Sequence, residues 1–361
     1  MPSLVGSEMC IRDRGKRGEG FKIAMNSLNV GRIKLGIAVT GASKKVINYA
    51  IGYANERKQF KTPISSFGAI QFKLAEMATK TYVADSGNYR CGQNIEDNIK
   101  RLESEGLTLQ DAKLQGVEEY AIECAILKVF SSEVVQYSSD EAVQIYGGMG
   151  FSAESEVEAC YRDARISRIY EGTNEINRLL IVKMVLKKAV TGEIDFFGPA
   201  KNIAKELMSI PSFEEPSNNI FNEFKIVLKN LKNIILMIAG TASEKLGTEI
   251  GDEQELMMNI SEMIIDTYML ESALLKTEKL TEKEGPIKNQ ERISMCINFL
   301  HGTVDKFLKN GKEAIYALSD GDEQKILLLG LKRFTKVKPD NLKEHRRSIA
   351  KKLIEENKYC F

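Results

Sequence analysis

The sequence predicts an all-α fold, in which an antiparallel four-helix bundle is followed by a second helical bundle. Apolar residues recur at helical spacing along most of the 361 residues, and no alternating pattern indicates a convincing set of strands. Pro63 is the only proline between Pro2 and Pro199, so long helices meet few interruptions there. The length allows two or more domains with a sizeable core.

The first long helix is predicted over the stretch that begins "LNVGRIKLGIAV" and ends "YANER". Gly31, Gly36 and Gly41 fall within its amphipathic pattern and lower its helix propensity. We expect these glycines to let another helix pack closely against this one.

Three loops are predicted to divide the first bundle. The first, "RKQFKTPISSFG", is marked by Pro63 and a pair of serines. The second is the Gly-rich "QIYGGMGFSAESE", and the third is "EGTNE", in which Thr173 is a candidate N-cap for the next helix. Between these loops the apolar residues return to helical spacing, which gives the four helices of the bundle.

The second bundle is predicted from apolar residues at near-heptad spacing, as in "FNEFKIVLKNLKNIILMI". A buried core is the favoured interpretation of these stripes, over a ligand groove or an exposed partner face. The stretch "KILLLGLKRF" is likewise interpreted as a core helix instead of a membrane-surface helix.

Shifts in composition predict the domain boundaries. Residues 193–216 hold three prolines and form the predicted linker between a first domain, 18–192, and a second domain, 217–361. Residues 1–17 show no helical or strand period and lack the apolar core of a signal peptide. They are interpreted as a non-native leader or as a short disordered arm.

The composition argues against several classes of function. Lys and Arg number 51 against 50 Asp and Glu, and this net charge of +1 favours neither a nucleic acid nor an anionic membrane as partner. The 2 His and 6 Cys are scattered, which argues against a metal site or a disulfide framework and suits a reducing, cytoplasmic location. No uninterrupted apolar stretch is expected to approach the length of a membrane span.

Three places in the first bundle are candidates for chemistry, each with an alternative. The glycines of "QIYGGMGF" either admit a phosphate to the backbone or stop a helix. Arg57 suits a phosphate or carboxylate, although most arginines at helix ends are solvated. Glu171 lies where the backbone is expected to bend, and is either a solvated charge or a base made useful by removal from water. His301 and His345 lie far away in the sequence, so no Ser-His-Asp or Cys-His arrangement competes with it.

Four stretches, in this order and spacing, resemble the C-terminal part of an acyl-CoA dehydrogenase of the extended, very-long-chain type. They are "FKIAMNSLNVGRI", "ERKQFKTPISSFGAIQFKLAEMA", "QIYGGMGF" and "YRDARISRIYEGTNEINR", of which the last is the most specific. The resemblance covers residues 18–190, and over 195–361 it depends on position and helical character. It implies an FAD-dependent enzyme that oxidises long-chain acyl-CoA to trans-2-enoyl-CoA in fatty acid β-oxidation.

The resemblance also implies roles for individual residues. Glu171 matches the catalytic base that takes the α-proton of the thioester while the β-hydrogen leaves as hydride to the flavin. Substrate contacts are implied for a turn made of Asn29, Val30, Gly31 and Arg32, and for the backbone of Gly172. Tyr170 and Met25 would line the acyl channel. Contacts to FAD are implied for Arg57, Lys58, Gln59, Phe67, Gly68, Gln144, Ile145, Tyr146, Gly147, Gly148, Thr173, Asn174 and Glu175. Those from 57 to 68 would reach the FAD of a neighbouring subunit, with Arg57 on its pyrophosphate, and Gln144 to Gly148 would lie against the adenosine side of that FAD. Lys61 stands where the family usually has glycine, so the local turn is expected to differ.

The implied partners are an acyl-CoA substrate, an electron-transfer flavoprotein and a second copy of the chain, since the second bundle favours a dimer. No metal, no nucleic acid and no membrane contact are expected. Family members also carry an N-terminal helical domain and a central β-domain, so the chain is expected to be a truncated fragment. Two alternatives stay open: an acyl-CoA oxidase, which passes its electrons to O2, and a catalytically incompetent helical module that only self-associates or binds a partner.

Overall fold

The computed structural model describes residues 18, 20–207 and 219–361, so the predicted leader, 1–17, lies outside the described residues. Within them the predicted all-α fold is confirmed, apart from one short hairpin. The helices are α1 (Gly20–Glu56), α2 (Gly68–Ser104), α3 (Leu109–Glu119), α4 (Ala121–Tyr146), α5 (Glu156–Ile166), α6 (Asn174–Val190), α7 (Phe197–Leu207), α8 (Ile220–Leu246), α9 (Gln254–Glu284), α10 (Gln290–Leu318), α11 (Gly321–Phe334) and α12 (Leu342–Glu356).

Helix α1 is continuous, and two of its glycines have different surroundings. A Cβ on Gly36 would lie 2.9 Å from Asn88 Oδ1 of α2 and 3.4 Å from Leu127 Cβ of α4, so both helices approach it closely. Gly41 has no such neighbour within 4 Å among the described residues. The expected close approach of a helix is therefore confirmed at Gly36 and wrong at Gly41.

The predicted loop after α1 contains an antiparallel hairpin of β1 (Lys58–Gln59) and β2 (Thr62–Pro63). Phe60 and Lys61 form its tip with φ of 50° and 67°. Two successive left-handed residues match the twist of a tight hairpin turn, and Lys61 takes a conformation that glycine adopts at less cost. The sequence did not indicate this hairpin, because strands of two residues are too short to show an alternating pattern.

Helices α1, α2, α4 and α6 form the first bundle, in which α1 lies along α4 and α2 packs against both. A short polar seam crosses the bundle where three helices meet. Ser43 Oγ of α1 donates to Ser138 Oγ of α4 at 2.9 Å and lies 3.0 Å from Thr81 Oγ1 of α2. The surrounding core is apolar and includes the fully buried Ile47, Ala50, Ile51, Leu74, Met77, Leu127 and Ile181.

The second bundle lies beside the first and shares its core. Helices α8, α9 and α10 pack together, α9 also packs against α2 and α6, and α12 crosses back onto α2. Arg346 Nε of α12 donates to Glu76 Oε1 of α2 at 2.8 Å. The backbone N–H of Tyr359 donates to Asn48 Oδ1 of α1 at 2.6 Å. One continuous set of buried apolar side chains runs through both bundles.

The predicted core stripes of the second bundle are confirmed. Their buried members include Phe221, Phe224, Leu228, Leu231, Ile238, Leu256, Ile260, Met263, Leu270, Leu274, Ile297, Leu300, Val304 and Phe307. Helix α11 is also a core helix on one face, where Leu327, Leu331 and Phe334 are buried, whereas Leu329 is 67% exposed.

The predicted linker, 193–216, contains the whole of helix α7, which packs against α8. The later part of the linker, 208–216, lies outside the described residues. The division of the chain into domains at 192 and 217 stays a prediction.

One stretch of the described residues, Ile220–Gly251, is long and apolar enough to cross a membrane by length and composition. Lys225, Lys229 and Lys232 interrupt its apolar residues, so this finding does not overturn the expectation, which concerned an uninterrupted apolar run. A core helix can have the same composition, and Leu231, Ile234 and Ile238 of α8 are fully buried against the other helices.

We expect Phe307→Ala to lower the free energy of unfolding by about 3–5 kcal/mol, because Phe307 of α10 is fully buried and its removal leaves a cavity. Phe21→Ala is the matched control, since Phe21 is 79% exposed and its loss should change the stability by less than about 0.5 kcal/mol. Urea unfolding followed by circular dichroism measures both. Equal losses in the two variants would contradict the burial of Phe307.

Candidate active site

The turn between α5 and α6 has an uncommon backbone conformation. Glu171 and Gly172 follow one another with φ of 59° and 81°, so two successive residues are left-handed. Glycine tolerates this conformation, whereas for a glutamate it costs about 1–2 kcal/mol. The predicted bend at Glu171 is confirmed, and contacts around the turn have to offset its cost. Thr173 then caps α6, as predicted, by accepting a hydrogen bond from Ile176 N at 3.3 Å.

The carboxylate of Glu171 lies directly on Gly31 of α1. A Cβ on Gly31 would fall 2.5 Å from Oε2 of Glu171 and 2.7 Å from its Cδ and Oε1. A larger residue at this position would displace the carboxylate. Gly31 therefore makes room for an acidic side chain and not for a neighbouring helix, which corrects its expected role.

Three buried side chains from three helices hold the carbonyl groups of this turn. Arg32 Nε of α1 donates to Glu171 O at 3.3 Å, and Lys128 Nζ of α4 donates to Gly172 O at 2.7 Å. Asn177 Nδ2 of α6 lies 3.3 and 2.8 Å from the same two carbonyl oxygens and 3.0 Å from the next one. These bonds fix the backbone that carries the Glu171 side chain.

Asn174 continues this network into the bundle. Its side-chain oxygen accepts from Lys128 Nζ at 2.7 Å. Its amide nitrogen donates to Ser132 Oγ and Glu133 Oε1, each at 3.0 Å. Asn174 is fully buried and its side-chain amide is bonded within the bundle, and its predicted contact with FAD stays a prediction. Asn174 supports the turn.

Arg178 joins the network to the second bundle. It forms ion pairs with Glu133 of α4 and with Glu262 of α9. Burial raises the pKa of Asp266, one turn further along α9, and the ion pair from Lys306 Nζ at 3.0 Å partly offsets this. Because removing one partner of a buried ion pair costs several kcal/mol, the position of α6 depends on α9.

Lys128 is fully buried and forms no ion pair with any described residue. Burial, together with the positive charge of nearby Arg32, lowers the pKa of Lys128 to about 8. Sequence reasoning missed this residue. The signal was a single charge inside the apolar run "AILKVF", a pattern that a solvated helix face does not show.

The predicted substrate-contacting turn, Asn29 to Arg32, is wrong as a turn because these residues lie within α1. Asn29 and Arg32 are buried, and Asn29 Oδ1 accepts from Arg32 Nη1 at 3.1 Å. Val30 and Gly31 are partly exposed, as is Met25 on the same helix. Of the four, Val30 and Gly31 are placed where a substrate can touch them.

Exposed apolar side chains precede and follow Glu171 in the sequence. Ile166, Ile169, Tyr170 and Ile176 are each about half exposed. Tyr170 therefore lies where a substrate can reach it, and the predicted roles of Tyr170 and of the partly exposed Gly172 stay predictions. An apolar patch around a carboxylate is typical of a surface that another molecule or segment covers.

Predicted flavin contacts from two distant loops line a single cavity of about 600 Å³. One side is the hairpin loop and the other is the Gly-rich turn after α4. Tyr53 of α1 stacks on Tyr146 with 4.0 Å between ring centroids and joins the two sides. The predicted residues on its wall are Arg57, Gln59, Phe67, Ile145, Tyr146, Gly147 and Gly148.

Three predicted flavin contacts lie outside this wall. Lys58 and Gln144 are exposed beside it. Gly68 begins α2 against Arg347 of α12, and its carbonyl accepts from Arg347 Nη1 at 2.9 Å. Arg347 of the second bundle therefore contacts Gly68, which is partly exposed, and the predicted role of Gly68 as a flavin contact stays a prediction.

The remaining predicted flavin contacts, Thr173, Asn174 and Glu175, lie beside Glu171 and far from the cavity. Gly31 and Arg57 mark the two places along α1, and a rise of 1.5 Å per residue puts them about 39 Å apart. This distance exceeds the length of a flavin dinucleotide. The two clusters of one chain therefore do not meet on one cofactor.

The cavity has the chemistry that a flavin dinucleotide requires. Its aromatic and aliphatic wall suits a planar ring, and Arg57 offers an exposed guanidinium to a phosphate. Gly147 and Gly148 have open space where a Cβ would stand, so backbone groups can approach a ligand there. These residues fit FAD.

Family comparisons agree with this architecture. Residues 18–186 match the acyl-CoA dehydrogenase C-terminal domain, and residues 230–333 match a second domain with the same description. The two matches together cover most of the chain, which belongs to the acyl-CoA dehydrogenase family and carries its C-terminal domains.

Individual relatives point the same way. The chain is 40% identical over 345 residues to a "probable acyl-CoA dehydrogenase" of Bacillus subtilis, which covers 96% of this chain and 58% of the relative. It superposes on an acyl-CoA dehydrogenase complexed with FAD from Bacillus anthracis with a TM-score of 0.91 and 40% identity, over 96% of this chain and 59% of that one. A very long-chain specific acyl-CoA dehydrogenase from Rattus norvegicus is 41% identical over 167 residues, 46% of this chain and 23% of the relative. The chain spans a little under three fifths of the length of the two bacterial relatives.

The contact between Glu171 and Gly31 predicts a contrast between two glycines of α1. Gly41→Ala should stabilise the protein by about 0.5–1 kcal/mol, because alanine favours the helix and nothing lies within 4 Å. Gly31→Ala should lose this gain, because the added methyl group displaces the Glu171 carboxylate. Urea unfolding and crystal structures of both variants test this. A Gly31→Ala structure with an unmoved carboxylate would show that the contact is misassigned.

The buried Lys128 predicts a stability that rises with pH. Its pKa of about 8 in the folded state lies below the ordinary 10.5, so the unfolded state binds more protons between these values. Relative to Lys128→Met, the free energy of unfolding of the wild type should therefore rise by on the order of 3 kcal/mol from pH 7 to pH 10.5. Guanidinium unfolding at a series of pH values measures the difference. A constant difference over this range would be the contrary result.

Proposed function

We propose that this chain forms the base-bearing part of an FAD-dependent acyl-CoA dehydrogenase, in which Glu171 removes the α-proton of an acyl-CoA thioester. The observation that carries this proposal is the carboxylate of Glu171, seated on Gly31 by a turn that Arg32, Lys128 and Asn177 hold. Family membership supports it, because flavoprotein dehydrogenation needs a base at this step.

The setting of Glu171 suits proton abstraction from carbon. The α-proton of a thioester is weakly acidic, so it needs a positioned carboxylate in a site that excludes water. Glu171 is half-buried, and Ile166, Ile169 and Ile176 near it in the sequence are about half exposed. An acyl chain or a covering segment that packs on these side chains would exclude water from the carboxylate. A bound flavin would accept the β-hydrogen as hydride, so that trans-2-enoyl-CoA forms without a free carbanion.

The cofactor would involve two copies of the chain. The cavity at Arg57 lies about 39 Å along α1 from Gly31 and Glu171, too far for a single dinucleotide. We propose that the Arg57 cavity holds the nucleotide part of an FAD whose reactive ring lies at the Glu171 of another copy. A homodimer satisfies this requirement, and Thr173 and Glu175 would then touch the ring end.

We also propose a substrate class, an electron acceptor and a cellular location. Long-chain acyl-CoA in fatty acid β-oxidation is favoured by the likeness to the very long-chain specific relative. The proposed acceptor is an electron-transfer flavoprotein, with O2, as in an acyl-CoA oxidase, as the alternative. A cytoplasmic location is supported by free, buried cysteines such as Cys91, Cys124 and Cys296.

Glu171→Gln tests the proposal. In the flavin-loaded protein, palmitoyl-CoA added without oxygen should bleach the flavin absorbance of the wild type. Glu171→Gln should slow this bleaching, and the exchange of α-protons in D2O, by about 10²–10⁴-fold, because the amide cannot accept the proton. Glu154→Gln, an exposed carboxylate before α5, is the control and should behave as the wild type.

The outcomes separate the enzyme from its rival. Equal bleaching by Glu171→Gln and the wild type would exclude Glu171 as the base. A wild type that retains flavin but neither bleaches nor exchanges α-protons would favour a catalytically incompetent helical module. Oxygen consumption during turnover would favour the oxidase alternative.

A further inference from the structure

Three buried cations lie near the turn, and they differ in their partners. Arg178 pairs with Glu133 and Glu262, whereas neither Arg32 nor Lys128 forms an ion pair with any residue in the described ranges. A buried ammonium without a carboxylate is costly. The buried ammonium of Lys128 lies directly under the candidate base, so its cost is best explained by a role in holding that base.

The two acceptors of Lys128 lie on either side of Thr173. Its Nζ donates to Gly172 O and to Asn174 Oδ1, both at 2.7 Å. The first acceptor belongs to the left-handed turn, and the second belongs to the first residue of α6. The ammonium therefore ties the turn that carries Glu171 to the start of α6 and, through its own side chain, to α4.

The other two groups that hold the turn make longer or shared bonds. Arg32 Nε reaches Glu171 O at 3.3 Å, and Asn177 Nδ2 divides its donors among three carbonyl oxygens. A short hydrogen bond from a charged donor is about twice as strong as a neutral one. The Lys128 contact is thus the firmest restraint on the Gly172 carbonyl.

We propose that Lys128 is a positioning residue for α-proton abstraction, an inference that rests on the proposed function of Glu171. Its ammonium holds the Gly172 carbonyl and so keeps the Glu171 carboxylate over Gly31, where it faces the substrate. Lys128 itself is fully buried beneath the turn and does not touch the substrate. A displacement of the base by about 1 Å is enough to slow such a reaction about 100-fold.

The charged groups that face Lys128 are Arg32 of α1, Glu133 of α4, Glu171 in the turn and Glu175 of α6. Arg32 opposes its positive charge, and the three carboxylates favour it. Because the pKa of Lys128 is about 8, the ammonium loses its proton within the pH range of an ordinary assay. We expect kcat to fall above about pH 8, as a neutral amine holds the Gly172 carbonyl less firmly.

Lys128→Met tests the inference in the flavin-loaded protein. Its kcat should fall about 10–100-fold, while KM for palmitoyl-CoA changes by less than about threefold, because the base is misplaced and the binding surface is not. Lys183→Met, which removes an exposed lysine of α6, controls for the lost charge and should keep the wild-type kcat. Phe307→Ala controls for lost stability and should keep kcat below its own unfolding temperature.

A Lys128→Met protein with the wild-type kcat, or a Phe307→Ala protein with an equal loss of kcat, would overturn the inference. A wild type that cannot exchange α-protons would overturn the proposed function as well. Should Lys128→Met not fold, Asn174→Ala replaces it, since this change removes one of the two acceptors of Lys128. Asn174→Ala should then lower kcat several-fold at constant KM, and an unchanged kcat would reject the positioning role.

Lysine ¹³Cε NMR of the 361-residue protein provides a test that needs neither flavin nor substrate. One resonance, absent from Lys128→Met and shifted in Asn174→Ala, should titrate near pH 8. A Lys128 resonance that titrates near the ordinary value of 10.5 would show that the ammonium is not held as described and would overturn the inference.

Discussion

The contact between the Glu171 carboxylate and the bare backbone of Gly31 is the constraint on which the rest of the site depends. To reach Gly31, the chain between α5 and α6 passes through two left-handed residues, one of them a glutamate. That conformation is unfavourable alone, so donors from α1, α4 and α6 converge on its carbonyl groups. Three helices of the first bundle therefore fix the backbone that carries this one acidic side chain.

The second bundle is part of this frame. Arg178 of α6 pairs with Glu133 of the first bundle and with Glu262 of α9, and the same Glu133 accepts from Asn174 at the foot of the turn. A chain of polar contacts thus runs from the turn to the second bundle, while a common apolar core surrounds it. A second contact between the bundles is the hydrogen bond that Arg347 of α12 donates to the carbonyl oxygen of Gly68 at the start of α2. Through these contacts the second bundle supports the Glu171 turn and the start of α2 beside the Arg57 cavity. It is also the proposed dimer element.

The sequence predicted much of the fold because helical periodicity and proline placement are local signals. The bend at Glu171 and the cap at Thr173 were also local, and the structure confirms both. Positions defined by tertiary contacts were harder to predict. Gly31 and Gly41 look alike in the sequence, yet only Gly31 meets a carboxylate. Asn174 lies in a stretch that resembles a flavin-binding motif, yet its side chain is bonded to Lys128 inside the bundle. The role of Lys128 depends on its hydrogen bond to a carbonyl group 44 residues away, which the local sequence does not show.

A crystal structure of the flavin-loaded protein with a non-reactive palmitoyl-CoA analogue tests most directly whether Glu171 is the base. We expect a Glu171 carboxylate oxygen to lie about 3–3.5 Å from the α-carbon, with the carboxylate still over Gly31 and Lys128 still bonded to Gly172 O. We also expect the Arg57 cavity to hold the nucleotide end of the flavin whose ring lies at the Glu171 of the other copy. An α-carbon out of reach of Glu171, or a carboxylate turned into solvent, would contradict the assignment of Glu171 as the base.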